Sequence, residues 1–184
     1  MGRVIVGMTI SLDGFVNDRE GGVEVLYPDF EAMHEFEALK ESIRNTGAVV
    51  LGRHSFDMAE DADWFAGNYE YQVPIFVLTH YPPEKHPKET DKLRFTFVTE
   101  GVESAIGQAK AAAGGKDVTV IGVSAIQQCI RAGLADELHL DLMPVLLGEG
   151  LRLFDDLVGK PIQLEKIKVV ELGARTHLQF RFIK

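Results

Sequence analysis

Residues 118–154 read VTVIGVSAIQQCIRAGLADELHLDLMPVLLGEGLRLF, and this stretch decides the fold class. A β-branched apolar run ends at a glycine, and the pattern predicts a helix, a second strand and a glycine-punctuated loop after it. Where a buried strand turns into a helix, the first backbone N–H groups of the helix point to the space above the sheet. The stretch therefore predicts an α/β protein with an anion-binding turn at Gly122.

The same alternation of strands and helices extends through the rest of the chain. Apolar runs predict buried strands at 3–10, 48–51, 73–78 and 95–98, and helices at about 30–45 and 101–113. Asp29 is the predicted N-cap of the first helix, and the Gly- and acid-rich segment 13–29 is expected to be a long mobile loop. The last third is richer in strands, at 137–142, 162–171 and 176–183, and Gly173 predicts a hairpin between the last two. We expect a single domain, residues 1–184, with helices on both faces of a mostly parallel sheet and an antiparallel C-terminal part.

Composition excludes several classes of protein. The net charge of −9 disfavours nucleic acid and anionic membranes as partners, because phosphate backbones need clustered Lys and Arg. No apolar run reaches the length of about 18 residues that a membrane span needs, and the N-terminus lacks a signal-peptide pattern. The single cysteine, Cys129, excludes an internal disulfide, fits the cytoplasm and is expected to be a packed residue rather than a nucleophile. The histidines show no metal-ligand spacing, so no metal site is predicted.

Two strand-to-helix turns are candidate binding sites. Arg53 and His54 leave a buried strand together, and Arg offers a planar fork for a phosphate while Ser55 adds a hydroxyl. The alternative is a solvated turn. Ser124 and Gln127 match an S-x-x-Q capping box just after Gly122, and this second turn is also explained as no more than a helix start.

Two further positions have open alternatives. Asp13, in the Ser-Leu-Asp-Gly motif 11–14 directly after the first strand, can anchor a polar substrate or steer a proton. It can equally form an Asx-type turn before Gly14. Trp64 and Phe65, on an acidic loop, can stack on a flat heterocycle, and they can equally pin the loop onto the core.

Together these motifs resemble a known family. The motifs SLDG (11–14), LGRHS (51–55), GLADE (133–137) and PVLLGEG (144–150) with Leu153-Phe154 resemble the bacterial dihydrofolate-reductase-like proteins. Those proteins share a domain with the C-terminal reductase half of the bifunctional riboflavin-biosynthesis deaminase–reductase. The resemblance spans nearly the whole chain and implies a three-layer α/β/α sandwich, NADPH as the cofactor and a homodimer.

The resemblance also implies which residues hold the cofactor. Its 2′-phosphate and ribose side is expected at Gly52, Arg53, His54 and Ser55, and its adenine beside Thr79. The turn and helix start under the pyrophosphate are Gly122, Val123, Ser124, Ala125 and Ile126. The family usually has a second glycine where this chain has Val123, and the β-branched side chain is expected to add bulk where the phosphate approaches.

The sequence therefore favours an NADPH-dependent reductase that transfers hydride to a small pterin- or pyrimidine-like heterocycle, with the 13–29 loop closing over both. Asp13 is the candidate catalytic and substrate-contacting residue, and Trp64 is a candidate wall of the substrate site. The first predicted helix offers Glu31 and Glu35 by location only in place of the buried carboxylate of true dihydrofolate reductases, so dihydrofolate is not the expected substrate. The alternative is a non-catalytic protein that binds a nucleotide-, pterin- or flavin-like ligand on the same scaffold.

Overall fold

A mixed β-sheet organises the computed structural model, which describes residues 2–155, 157, 159 and 161–184. Its strands are β1 (Val4–Ser11), β2 (Thr46–Gly52), β3 (Ile75–Leu78), β4 (Phe95–Val98), β5 (Asp117–Ile121), β6 (Glu137–Met143), β7 (Leu164–Leu172) and β8 (Arg175–Phe182). Across the described residues the spatial order is β4-β3-β2-β5-β1-β6-β8-β7. The strands from β4 to β6 in this order are parallel, whereas β8 is antiparallel to β6 and β7 to β8. This confirms the predicted fold class, including the hairpin at Gly173.

The helices are α1 (Phe30–Met33), α2 (Glu37–Asn45), α3 (Arg53–Asp57), α4 (Phe65–Asn68), α5 (Val102–Ala112) and α6 (Val123–Arg131). Short 3-10 helices occupy Glu24–Leu26 and Ala62–Trp64. Within the described part of the chain, each helix is too short or too polar to traverse a bilayer. The two long helices that follow β4 and β5 connect parallel strands, as expected of this class of sheet.

The two faces of the sheet differ in polarity because side chains alternate along each strand. On one face, Val4 and Val6 of β1 belong to an apolar cluster with Ile106 of α5 and Ile126 of α6. The opposite face is polar where β1, β6 and β8 meet. Thr9 pairs in register with Asp141, and Asp141 pairs with His177, so these three side chains project from the same face.

The first helix differs from its prediction. The chain forms α1 and α2 instead of one helix, and Phe36 between them is extended, with a ψ of 127°. Asp29 does not cap α1 through its side chain. Its carboxylate instead accepts hydrogen bonds from Arg175, among them one of 2.9 Å from Nε. A charged donor is a stronger partner than a backbone N–H, which explains why the local cap does not form.

The segment after β1 makes more contacts than the predicted mobile loop would make. Leu12 N and Val16 N donate to the carbonyl groups of Val145 and Leu151, so residues 12–16 lie against the segment that follows β6. The Glu24–Leu26 helix then buries Leu26 completely. The glycine-rich segment 144–154 therefore holds the chain that leaves β1, next to the carboxyl ends of the parallel strands.

Cys129 lies on the buried side of α6 and is fully inaccessible to solvent. Burial raises the pKa of its thiol to about 12, so the nucleophilic thiolate is disfavoured. This agrees with a packing role rather than a reactive one.

Candidate functional site

A cleft of about 1410 Å³ opens at the carboxyl ends of β2 and β5 and extends over the polar face of the sheet. Open α/β sheets bind ligands at this edge. A pocket for one drug-sized ligand has a volume of about 300–1,000 Å³. The cleft is therefore large enough for a nucleotide cofactor together with a second small molecule.

Two backbone turns line the cleft, at residues 52–55 and 122–124, and they are here called the glycine wall. Gly122 has a φ of +101°, and a Cβ placed on it would lie 2.6 Å from Ser55 Oγ and 3.3 Å from Gly52 N. Only glycine permits this backbone and this close approach. The glycine thus brings the start of α6 directly against the end of β2.

The start of α6 is open to the cleft. Its N-cap is Gly122, which has no side chain to satisfy the first N–H groups of the helix. Gly122, Val123 and Ser124 all line the cleft. Unpaired N–H groups and the helix dipole make such a terminus suited to an anionic group.

The predicted capping box is wrong. Ser124 is the second residue inside α6, so its hydroxyl cannot cap the helix and instead accepts a hydrogen bond of 3.0 Å from Gln128 Nε2. Gln127 donates from Nε2 to the carbonyl oxygen of Leu153, at 3.1 Å. The side chains therefore leave the helix N-terminus uncovered.

Arg53 lies at the outer edge of the glycine wall. Its Nε donates to both carboxylate oxygens of Asp57, at 2.8 and 2.7 Å, and its Nη1 lies 3.3 Å from Thr79 Oγ1. These contacts hold a partly exposed guanidinium at the mouth of the cleft. The structure thus brings Arg53, the first residue of α3, next to Thr79, which follows β3, although Thr79 does not itself line the cleft.

The remaining predicted cofactor residues divide into two groups. Gly52, His54 and Ser55 line the cleft with Arg53. Ala125 and Ile126 are fully buried in the core, so only their backbone can reach a ligand. Val123 lines the cleft but also packs against the apolar core cluster, so its side chain does not lie wholly in the path of a phosphate.

Asp13 lies away from the cleft lining. Its Oδ1 accepts from Ser11 Oγ at 2.7 Å and from Leu147 N at 3.1 Å, and its Oδ2 accepts from Gly148 N at 2.8 Å. The hydrogen bond from Ser11, followed by those from Gly148 and Leu147, lowers the pKa of Asp13 to about 2. The carboxylate ties the segment after β1 to the segment after β6, which is a positioning role.

Trp64 and Phe65 have different environments. Trp64 lines the cleft and is 46% exposed, whereas Phe65 is buried and stacks on Phe56 with ring centroids 5.5 Å apart. The two interpretations of the aromatic pair therefore apply to different residues, because Phe65 pins the loop and Trp64 faces the open space.

A polar network under the cleft was not predicted from the sequence. Asp141 Oδ1 lies 2.8 Å from His177 Nδ1, and Asp141 Oδ2 lies 3.4 Å from Arg175 Nη1. The Arg175 side chain is fully buried and forms an ion pair with Asp29. The signal available in the sequence was the alternation in 138–142, Leu-His-Leu-Asp-Leu, which places polar residues on one face of a central strand.

Two further groups extend the polar character of the cleft. Burial lowers the pKa of His139, despite its contact with Glu137, and so favours the neutral imidazole. Burial raises the pKa of Glu70, a cleft-lining carboxyl that precedes β3. Perturbed groups of this kind cluster in binding and catalytic sites. Glu31 and Glu35, by contrast, do not line the cleft.

Comparison with known proteins assigns the family. The family model described as "RibD C-terminal domain" matches residues 3–178. The uncharacterized protein YyaP of Bacillus subtilis (strain 168) is 27% identical over 169 residues, and the match covers 84% of this chain and 81% of YyaP.

Solved structures match nearly the whole chain. A protein named for riboflavin biosynthesis from Shewanella sp. PV-4 is 25% identical, with a TM-score of 0.77 and 99% of both chains covered. A dihydrofolate reductase from Enterococcus faecalis, in complex with NADP(H), is 17% identical with a TM-score of 0.63, and the match covers 100% of this chain and 98% of that one. The second likeness shows the fold alone.

The chain therefore belongs to the RibD C-terminal domain family. It has the mostly parallel sheet with antiparallel C-terminal strands that this family shares with dihydrofolate reductase. Family and fold together support an oxidoreductase.

Proposed function

We propose that this protein is an NADPH-dependent reductase that transfers hydride to a small pterin- or pyrimidine-like heterocycle. The observation that carries the proposal is the glycine wall, where an uncapped helix start and an arginine meet at the edge of a cleft. The family supports a reductase, and the structural relative from Enterococcus faecalis is complexed with NADP(H).

The residues present fit such a cofactor. A Cβ on Gly122 would fill the space between the two turns, and the glycine leaves the N–H groups of α6 accessible to a pyrophosphate. Arg53 can place its guanidinium on a 2′-phosphate, with Ser55 beside it. When bound, the cofactor supplies hydride, and the chain supplies orientation, charge and exclusion of water.

The rest of the cleft provides the place for a second ligand. Trp64 offers an exposed aromatic face, and the apolar side chains of Tyr27, Phe36 and Leu39 line the same cleft as the polar face of the sheet. A flat ring between these apolar groups and the polar face would be shielded from solvent and could place its polar edge on Thr9 and Asp141. Asp13 acts here at a distance, because it holds the segments that border the cleft.

The test is a fluorescence titration with NADPH and with NADH. Removing a charge-assisted contact costs about 1.5–3 kcal/mol, so Arg53→Ala is expected to weaken NADPH binding about 10- to 100-fold. NADH, which lacks the 2′-phosphate, should bind both proteins equally. Arg181→Ala, which changes an exposed arginine on β8 that pairs with Glu165, is the matched control and should leave both affinities unchanged.

Absence of NADPH binding at millimolar concentration would reject the reductase. The alternative, a non-catalytic binding protein on the same scaffold, would then be supported if a pterin or flavin bound without any nicotinamide cofactor. Equal loss of NADPH and NADH affinity in Arg53→Ala would instead show that Arg53 does not contact the 2′-phosphate.

A homodimer is the accompanying proposal. The edge strand β7 exposes Val169 to 51% and Leu164 to 38%, and apolar edge strands in native proteins are usually covered. Sedimentation or light scattering should therefore give twice the mass of the 20.4 kDa chain. A monomeric mass at micromolar concentration would contradict it.

A further inference from the structure

Asp141 is the carboxylate that the polar face of the sheet presents to the cleft. It lies on β6, flanked in register by Thr9 of β1 and His177 of β8, and its side chain is 25% exposed at the cleft surface. A central strand of a parallel sheet is usually apolar on both faces. A partly exposed carboxylate at this position is therefore unusual and is a candidate contact for a ligand in the cleft.

The protein holds this carboxylate in one orientation. His177 Nδ1 lies 2.8 Å from Oδ1, and Arg175 Nη1 lies 3.4 Å from Oδ2. A carboxylate has about four lone-pair sites, and two are used by these partners. Because the Asp141 side chain lines the cleft and is 25% exposed, its remaining acceptor capacity is accessible from the cleft.

Within the described part of the chain, the cleft lining offers no lysine or arginine beside Asp141 for an anionic ligand. Arg175 is fully buried, and Asp29 and Asp141 both neutralise it. The described residues that line the cleft include one arginine, Arg53, which lies at the glycine wall. They include five acidic residues: Glu24, Glu60, Asp61, Glu70 and Asp141. A phosphate or carboxylate on the second ligand would meet uncompensated negative charge in a partly desolvated site.

We propose that Asp141 anchors the substrate by accepting hydrogen bonds from adjacent N–H groups of a neutral or cationic amino-heterocycle, and that the cleft rejects phosphorylated and carboxylate-bearing analogues. The proposal rests on the proposed function for the location of the second ligand. It places a carboxylate from β6 in the cleft, whereas Glu31 and Glu35 do not line the cleft. It also separates this chain from reductases that act on phosphoribosyl substrates.

The first experiment uses the unaltered protein and three ligands, two of which differ only by one phosphate. Isothermal titration calorimetry is carried out with 6-hydroxymethyl-7,8-dihydropterin, with its phosphate ester, and with 2,4-diaminopyrimidine, which presents an amidine edge. We expect the phosphate ester to bind at least tenfold more weakly than the parent pterin. Equal or tighter binding of the ester would overturn the proposal. It would also be overturned if neither the parent pterin nor 2,4-diaminopyrimidine bound at millimolar concentration.

The second experiment changes the anchor. Asp141→Asn should weaken the pterin and 2,4-diaminopyrimidine at least tenfold and should reduce the discrimination against the phosphate ester. Asp91→Asn, on an exposed loop, is the matched control and should bind like the unaltered protein. Binding by Asp141→Asn at unaltered affinity would refute the role of Asp141. If Asp141→Asn shows no cooperative thermal transition, the variant is not folded. The proposal is then tested by the comparison of the pterin with its phosphate ester in the unaltered protein.

Failure of the two proposals can be distinguished. NADPH affinity is measured separately on the same preparation. Binding of NADPH without discrimination between the pterin and its ester would reject only the role of Asp141. Discrimination that depends on Asp141 in a protein that does not bind NADPH would reject only the reductase.

Discussion

Replacement of Gly122 tests how the glycine wall is built. In Gly122→Ala, the new Cβ would lie 2.6 Å from Ser55 Oγ and 3.3–3.4 Å from the backbone of Gly52, at a φ of +101°. A non-glycine residue in such a conformation costs about 1–3 kcal/mol, and overpacking adds about 1 kcal/mol even when the serine hydroxyl rotates away. We therefore expect a loss of about 2–4 kcal/mol, which for a domain of this size lowers Tm by roughly 5–15 °C.

The assay is thermal unfolding followed by circular dichroism, with glycine variants that separate the two costs. Gly133→Ala has a φ of +66° and no atom within 4 Å of the new Cβ, so it carries backbone strain alone. Gly107→Ala lies inside α5 with open space around it and should stabilise the protein by about 0.5–1 kcal/mol. The double variant Gly122→Ala/Ser55→Ala removes the closest contact and should recover only part of the loss.

Two outcomes would refute this reasoning. If Gly122→Ala unfolds at the same temperature as the unaltered protein, the two turns do not need the glycine. If the double variant recovers all of the lost stability, the steric contact accounts for the whole effect and the backbone conformation costs nothing.

Two predictions concern pH. The folded-state pKa of Asp13 is about 2 against an ordinary 3.8, so the stabilisation by its carboxylate is present above about pH 4 and is lost as the pH falls toward 2. Asp13→Asn should therefore lower Tm at neutral pH and have little effect on Tm near pH 2. A difference in Tm that does not depend on pH would contradict this. Burial raises the pKa of Glu70 above its ordinary 4.5, so ionisation of Glu70 opposes folding as the pH rises. Glu70→Gln should therefore raise Tm by a few degrees at pH 7 but not at pH 3. A lower Tm of this variant at pH 7 would show that the carboxylate has a favourable partner.

Much of the local structure could be predicted because it depends on local pattern. Apolar runs locate the strands, and Gly173, with a φ of +62°, marks the hairpin as expected. The turn at Gly122 was also predicted, because a glycine between a buried strand and a helix usually marks a turn. Boundaries moved by one or two residues, as helix and strand ends commonly do.

Two side chains have partners that local sequence pattern does not reveal. Asp29 is a good N-cap by residue type, but it binds Arg175, 146 positions away in the chain. Asp13 could have formed a local turn, but its carboxylate also accepts from Leu147 and Gly148, 134 and 135 positions away. Local sequence pattern cannot identify these partners, because the donors lie far away in the chain and reach the carboxylates only in the folded structure.

The sequence by itself determined the class of fold and the two glycine turns, since hydrophobic periodicity and glycine conformation act within a few residues. Only the tertiary structure decided which polar side chains meet in the cleft. Thr9, Asp141 and His177 come from strands far apart in the chain, and they share a face because β6 lies between β1 and β8 in one register. A shift of one residue in that register would turn these side chains to the opposite face, so the polar site exists only through strand order and pairing.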